Sequence, residues 1–395
     1  MAGSLYRPLE AGLVALKLGL TSFGGPIAHI GYFRREYVER KGWLTDEAFG
    51  ELTALCQFLP GPASSQLGIA IGIRRAGMLG GIAAWLGFTL PSALLLVFFA
   101  IAMNGHDYTD AGWLHGLKLA AVAVVAQAVW SMGRTLAPDR PRIAMAVATA
   151  SIALLWPGAL GQIVPLLLCG IVGAYLLQPG AASKTESFHS GMKSWTATLC
   201  LILFVLLLIA LPLLAAWHDN VRLQLADIGY RAGSLVFGGG HVVLPMLHEE
   251  TTGLGLVSDQ QFLAGYGATQ AVPGPLFTFS AYIGAVSASG TEGLLRAAIM
   301  LVSIFLPSYL IVAGVLPYWT RLSAHRRTRA FVGGVNAAVV GLLLAALYSP
   351  VFSSTVATAT DFVIVLIGFV LLANWRCPPW LIVLLAAVIG WIVYS

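Results

Sequence analysis

The sequence predicts an all-α polytopic membrane protein built as two inverted-topology homologous repeats with broken, re-entrant helices. Three observations predict it. The 395 residues are 58% hydrophobic and only 10% charged, with a mean hydropathy of +0.83; a soluble domain carries about 25% charged residues. Helix-breaking motifs occur twice in register. Phe23-Gly24-Gly25-Pro26 returns as Phe237-Gly238-Gly239-Gly240 (237 − 23 = 214), and Pro60-Gly61-Pro62 as Pro273-Gly274-Pro275 (273 − 60 = 213). Loop charges at equivalent places in the two halves then differ in sign.

Each half follows one plan. A broken apolar segment, 9–32 or 225–247, is interrupted at the FGG motif. A polar loop follows, 33–46 or 248–259, and then a second broken segment, 47–73 or 260–288, split at PGP. Plain spans come next, the clearest at 78–103, 113–133, 293–317 and 330–348, each near the roughly 20 residues that cross a bilayer as a helix. Shorter apolar runs close each half, at 143–157 and 161–178 or 357–374 and 379–394. This divides the chain into a first repeat, 1–178, a polar linker with a connecting span at 196–217 (together 179–222), and a second repeat, 223–395. Strands of about ten residues with alternating polarity, the mark of a membrane barrel, are missing from the sequence. Met1–Glu10 lacks the features of a removable signal.

Orientation follows from Lys and Arg in the loops. Arg34, Arg35, Arg40 and Lys41, then Arg74 and Arg75, then Arg134, Arg140 and Arg142 mark cytoplasmic ends in the first half, while loop 104–112 has no Lys or Arg. In the second half, loop 248–259 carries Glu249, Glu250 and Asp259, and the counterpart of 104–112 holds Arg321, Arg326, Arg327 and Arg329. If both broken segments dip in and return, each half crosses four times and 196–217 makes the count odd, which inverts the second half.

Paired Gly/Pro-interrupted segments in two halves point to the binding site of a secondary transporter. Irregular backbone at membrane depth persists only where protein or a wet cavity satisfies it. Pro60 and Pro62 lack N–H groups and Gly61 permits a tight reversal, so the segment forms a hairpin. Ala63, Ser64 and Ser65 then open a helix, as Leu276, Phe277 and Thr278 do in the other half. Such helix starts favour anions; the alternative is a packing kink. Lys17 and Arg231, each six residues before the shared Phe, are cations in apolar surroundings. Either they neutralise a divalent anion together, or they snorkel to the nearer interface. Gln57 and Gln270 either donate amide N–H groups or cap the breaks. His29 and His241, out of register by two residues, and the aligned Glu36 and Glu250 are candidates for coupling, with structural histidines and a Glu36 salt bridge to Arg34 or Arg40 as the plainer accounts. The net charge of +5 and pI near 9.1 fit an anionic cargo, although a positive-inside excess yields the same value. Cys56, Cys169, Cys200 and Cys377 have neither metal-ligand nor redox spacing.

The stretch SFGGPIAHIGYFRREYVERKGWLTDEAFGELTALCQFLPGPASSQLGIAIG resembles the signature region of the chromate ion transporter family, and FGGGHVVLPML with QAVPGPLFTFSAYIG resembles its second domain. The resemblance covers nearly the whole chain except the linker and 196–217. It implies two homologous domains of opposed topology in the bacterial inner membrane that export chromate, driven by the membrane gradient, and so confer chromate resistance. The candidate binding positions, from the breaks, helix starts, cations and amides above, are Lys17, Phe23, Gly24, Gly25, Gln57, Pro60, Gly61, Pro62, Ser64, Ser65, Arg231, Phe237, Gly238, Gly239, Gln270, Pro273, Gly274, Pro275 and Thr278. Sulfate, also tetrahedral and divalent, is the alternative cargo. No cofactor, metal or nucleic acid is expected; the lipid bilayer and a second copy of the chain are the expected partners. The sequence holds no HExxH, Gly-x-Ser-x-Gly or Walker motif, which disfavours a lipid hydrolase and direct use of ATP.

Overall fold

In the computed structural model of the chain, residues 2–23, 25–103, 111–156, 159–178, 194–236, 240–319 and 325–394 are described, and among them every regular element is helical. Phe237, Gly238, Gly239 and Gly24, as well as most of the linker and loop 104–112, lie outside them. The chain is an all-α polytopic membrane protein. Five helices are long and apolar enough to cross a bilayer, and they coincide with the spans expected from hydropathy.

In the first half, α1 (Ala2–Thr21) runs to the FGG break, and α2 (Gly25–Phe33) returns, prolonged by a π-helical turn, Arg34–Arg40. Lys17 Nζ meets Glu36 at 2.5 Å, and Lys41 meets Glu10 at 3.5 Å. Since 17 pairs with 36 and 10 with 41, the arms are antiparallel and the segment is a hairpin. The hairpin of α3 (Asp46–Phe58) and α4 (Ala63–Met103) turns at PGP; Thr45 caps α3 by accepting from the Ala48 N–H. Non-helical backbone at Ala76 and Gly77 divides α4 into limbs 63–75 and 78–103. Then come α5 (Gly112–Leu136), α6 (Arg140–Leu155), α7 (Ala159–Leu176) and the lipid-facing α8 (Ser194–Trp217).

The second half repeats the plan: α9 (Val221–Leu235), α10 (Val243–Gly253), α11 (Asp259–Ala271), α12 (Phe279–Val286), α13 (Gly290–Val315), α14 (Arg326–Ala346), α15 (Ala359–Ala373) and α16 (Pro379–Tyr394). Ser258 caps α11 in a reciprocal capping box with Gln261, as Thr45 caps α3. Left-handed glycines recur in register: Gly42 with Gly255, Gly61 with Gly274, and Gly77 with Gly290. Both PGP segments therefore reverse with the same backbone.

The halves interlock. Long α5 packs on α15 and α16 of the other half, while α14 packs on α6 and α7. Small residues allow the close approach: Gly112 and Gly116 lie against Gly390 and Ala386, and Gly334 against Cys169 and Gly173. The apolar core around the first pair of hairpins is completed by Leu310–Leu316 of α13, and that around the second pair by Ala93, Leu96 and Ala100 of α4. Each half therefore completes the apolar core of the other.

The PGP glycines are the positions least tolerant of a side chain. Gly61 sits at φ 117° and Gly274 at φ 103°; a Cβ on Gly61 would overlap Ser308 Oγ, and one on Gly274 would lie 2.8 Å from Ser92 Oγ. Gly61→Ala and Gly274→Ala should each destabilise the protein by about 1–3 kcal/mol from backbone strain alone. Gly50→Ala, on the open face of α3 with nothing within 4 Å, should be neutral or slightly stabilising. Thermal unfolding of the three variants in detergent checks this; equal melting temperatures would refute the steric account.

Candidate functional site

The broken segments meet tip to tip across the halves. The Gly61 N–H donates to the Val236 carbonyl at 2.5 Å, and the Gly274 N–H donates to the Ser22 carbonyl at 2.9 Å. Ser22 and Val236 each stand immediately before an FGG motif, so each PGP tip holds the FGG break of the opposite half. Ser308 beside Gly61 and Ser92 beside Gly274 come from the matching Leu-Pro-Ser turns of α13 and α4. Both Leu-Pro-Ser segments are interior to long apolar helices, so the tips lie beside the middle of those helices.

Around this junction the backbone is largely paired but several side chains are not. Gln66, fully buried, gives its Nε2 to the Pro60 carbonyl at 2.5 Å and approaches Ser308 Oγ at 3.5 Å, while its Oε1 has no hydrogen-bond partner. Gln66 thus caps the break that Gln57 was a candidate to cap; Gln57 is exposed, whereas its counterpart Gln270 is buried with an unpaired Nε2. His29 Nδ1 lies 3.2 Å from Ser64 Oγ and its buried Nε2 is unpaired, as are Ser22 Oγ, Ser65 Oγ and Ser280 Oγ. Thr278 Oγ1 donates to the Pro275 carbonyl at 2.7 Å. His241 Nδ1 instead meets Tyr266 Oη at 2.5 Å, and Phe23 packs against Trp380 at 6.2 Å between centroids. Buried polar groups are nearly always paired, so these unpaired groups on both PGP arms and on the first FGG arm set the junction apart as a buried polar cluster.

The cations are compensated. Lys17 is bound to Glu36, which Arg40 also approaches at 3.4 Å. Burial pushes the Glu36 carboxyl up, but Lys17 and Arg40 outweigh it and hold it below the usual range. Arg231 gives its Nε to the Asp227 carboxylate at 2.9 Å and its Nη1 and Nη2 to Glu250 at 2.5 and 3.0 Å. Both halves therefore tie the two arms of the FGG hairpin with a cation and a glutamate 19 residues apart. The third member differs in sign: Arg40 in one half, Asp227 in the other. Sequence reasoning singled out all four paired residues without pairing them across the arms, and it missed Asp227 and Gln66. The equal spacing of 17 to 36 and 231 to 250 was the available signal.

Beside the returning arm of the second hairpin, a cavity of about 150 Å³ opens between Gln162, Pro245, His248, Glu249 and Ser349. Gln162 Oε1 is a further buried, unpaired acceptor.

These features define a polytopic membrane protein with duplicated helical hairpins meeting at a polar, buried junction. The profile of the chromate transporter family matches it twice, over residues 9–174 and 223–391. The chain belongs to that family. It is 32% identical to the chromate transport protein of Pseudomonas aeruginosa, covering 96% of this chain and 91% of the relative. It is also 29% identical to a probable chromate transport protein of Synechococcus elongatus (96% and 94%) and 28% identical to the chromate transport protein of Cupriavidus metallidurans (96% and 91%). No solved structure matches the chain.

The two ion clusters differ in burial, and that difference should be measurable. The Lys17 side chain is 45% exposed, while Arg231 is 18% and Asp227 7% exposed. Arg231→Ala leaves two carboxylates without their cation and should cost about 3–5 kcal/mol, the usual penalty for breaking a buried pair. Lys17→Ala, half screened by solvent and backed by Arg40, should cost about 1 kcal/mol or less. Chemical denaturation in mixed micelles distinguishes them, and equal losses would show that the clusters are energetically equivalent.

Proposed function

We propose that the chain is a secondary transporter that exports chromate, a tetrahedral dianion, from the cytoplasm across the bacterial inner membrane, and so confers chromate resistance. The observation that carries this reading is the tip-to-tip junction of broken hairpins, rich in unpaired buried polar groups, in a chain whose two halves both match the chromate transporter family. Transport rather than catalysis is the family's work.

In this reading the anion occupies the junction between the PGP tips. The start of α4, with Ser64 and Ser65, presents N–H and O–H groups, Thr278 shapes the opposite tip by giving its N–H and O–H to the Pro275 carbonyl, and Gln270 donates its free amide. Lys17 adds positive potential, since its cluster with Glu36 and Arg40 keeps one surplus positive charge. Arg231 is clamped by two carboxylates and becomes available to the anion only when one lets go, which gives Glu250 a coupling role; Glu36 has the same role in the other half, and His29 and His241 are the adjacent proton carriers. The halves then exchange access by rocking about the junction. The membrane potential drives export, because a negative interior expels a dianion with about 2.3 kcal/mol per charge per 100 mV.

Inverted topology is part of the proposal. The antiparallel arms of the FGG hairpin and the return at PGP support counting both as re-entrant. The crossings between the starts of the halves are then the second limb of α4, α5, α6, α7 and α8, an odd number. Glu47→Cys and Gln260→Cys, exposed and equivalent positions, should react with a membrane-impermeant maleimide from opposite sides. Labelling of both from one side would replace inversion with a parallel repeat.

Everted vesicles, with potential and pH gradient set separately, test the cargo. They should accumulate radiolabelled chromate when the potential drives anions inward. Accumulation of sulfate without chromate would reassign the substrate to sulfate. Gln270→Leu removes an unpaired buried amide and so should leave stability unchanged, while raising the KM for chromate about tenfold through loss of one hydrogen bond to a charged group. An unchanged KM would take Gln270 out of the site.

A further inference from the structure

Neither cation singled out by the repeat is free, since each has its own carboxylate. Lys118 is different. It lies six residues into α5, one of the five membrane-crossing helices, and is only 7% exposed. Among the described residues it makes no hydrogen bond and no ion pair. Its neighbours Leu117, Leu119, Ala120, Ala121 and Val122 are all buried. His115, one turn earlier on the same helix, is already engaged: its Nε2 meets Asp361 at 2.8 Å, and Tyr394 donates to the same carboxylate oxygen. Lys118 is 7% exposed as a residue, where the Lys17 side chain is 45% exposed, so its stem and charge are held largely among protein atoms.

The position is adjacent to the junction. Helix α5 touches α11 where Gly267 packs on the Leu117 carbonyl. Lys118 follows Leu117, and Gln270 with its unpaired Nε2 lies three residues beyond Gly267, about 4.5 Å along α11 toward the PGP tip. A buried cation and a buried orphan amide thus stand within about one helical turn of the same helix contact. Taking an ammonium out of water is costly unless a partner returns the loss, and intramembrane charges are kept where a pathway or ligand uses them.

We propose that Lys118 is an anion-binding residue of the transport site, the uncompensated cation that receives a divalent tetrahedral oxyanion together with Gln270. This rests on the anion-transport reading above and adds a residue to its site. It makes two demands at once. Removing the charge should not harm the empty protein, because an unpaired buried cation is a cost to the fold, and it should weaken the anion.

The full-length protein in nanodiscs, titrated with sodium chromate and sodium sulfate against sodium chloride, tests both. An anion that binds the native state raises the melting temperature in proportion to its occupancy. Lys118→Gln should melt no lower than wild type without anion, and should lose about tenfold or more in the affinity read from the anion-dependent shift. Lys118→Arg should keep that shift. If Lys118→Gln shifts with chromate and sulfate as wild type does, Lys118 is not a ligand, although the transport reading survives. If wild type itself shows neither an anion-dependent shift nor uptake into vesicles, the transport reading falls and this inference with it. Should Lys118→Gln fail to fold, Lys118→Met carries the same comparison. Failure of both neutral variants to fold would overturn the proposal, since the charge would then be serving the fold rather than a ligand.

Discussion

The structure depends on how broken backbone is satisfied at membrane depth. A turn inside the bilayer exposes N–H and C=O groups that no water can take up, at several kcal/mol each. Here the two halves answer for each other. Gly61 donates to Val236 and Gly274 to Ser22, so neither PGP turn is complete without the opposite FGG break. The same exchange governs the apolar layers, with α5 seated on α15 and α16, and α14 on α6 and α7. The junction is thus built from both halves at once, and in the proposed transport it is where the anion would pass between them.

Electrostatics divides the labour at that junction. The Lys17–Glu36 and Arg231–Glu250 pairs sit at one register and link outgoing to returning arms, which makes them struts before they are ligands. Their third members break the symmetry, Arg40 leaving a surplus positive charge in one half and Asp227 a surplus negative charge in the other. The second cluster holds its guanidinium by two carboxylates at once, so its geometry is stiff and its charge is spent. A further cation for a dianion would come from outside the repeat's own pattern, and Lys118 is the residue proposed for it.

Much of this was legible in the sequence, and the boundary is physical. Helix breaks are local: PGP and FGG declare themselves through missing N–H groups and positive φ, and duplication doubled the signal, so the hairpins, spans and equivalences emerged without coordinates. Partners across a fold are not local. Glu36 was visible as an aligned carboxylate, yet its nearest charged neighbours in sequence, Arg34, Arg35 and Arg40, masked Lys17 as its main partner. Gln66 and Lys118 gave no repeat signal, because Phe279 and Gly334 stand at their equivalent positions. Gln57 and Gln270 align by sequence but diverge in burial, because α11 packs against α5 and draws Gln270 inside, while Gln57 faces outward on α3.

That divergence bears on how a duplicated site acquires direction. Two chemically identical halves would present the same donors to a substrate approaching from either side. Here the first half contributes His29 beside Ser64, with the net positive Lys17 cluster behind it. The second contributes Gln270 and Thr278, backed by the net negative Arg231 cluster. In the proposed transport a dianion moving between them would leave attraction on one side for repulsion on the other, even though the two turns share one backbone. On that proposal the matched PGP turns would supply the path, and the unmatched charges Arg40, Asp227 and Lys118 the gradient along it.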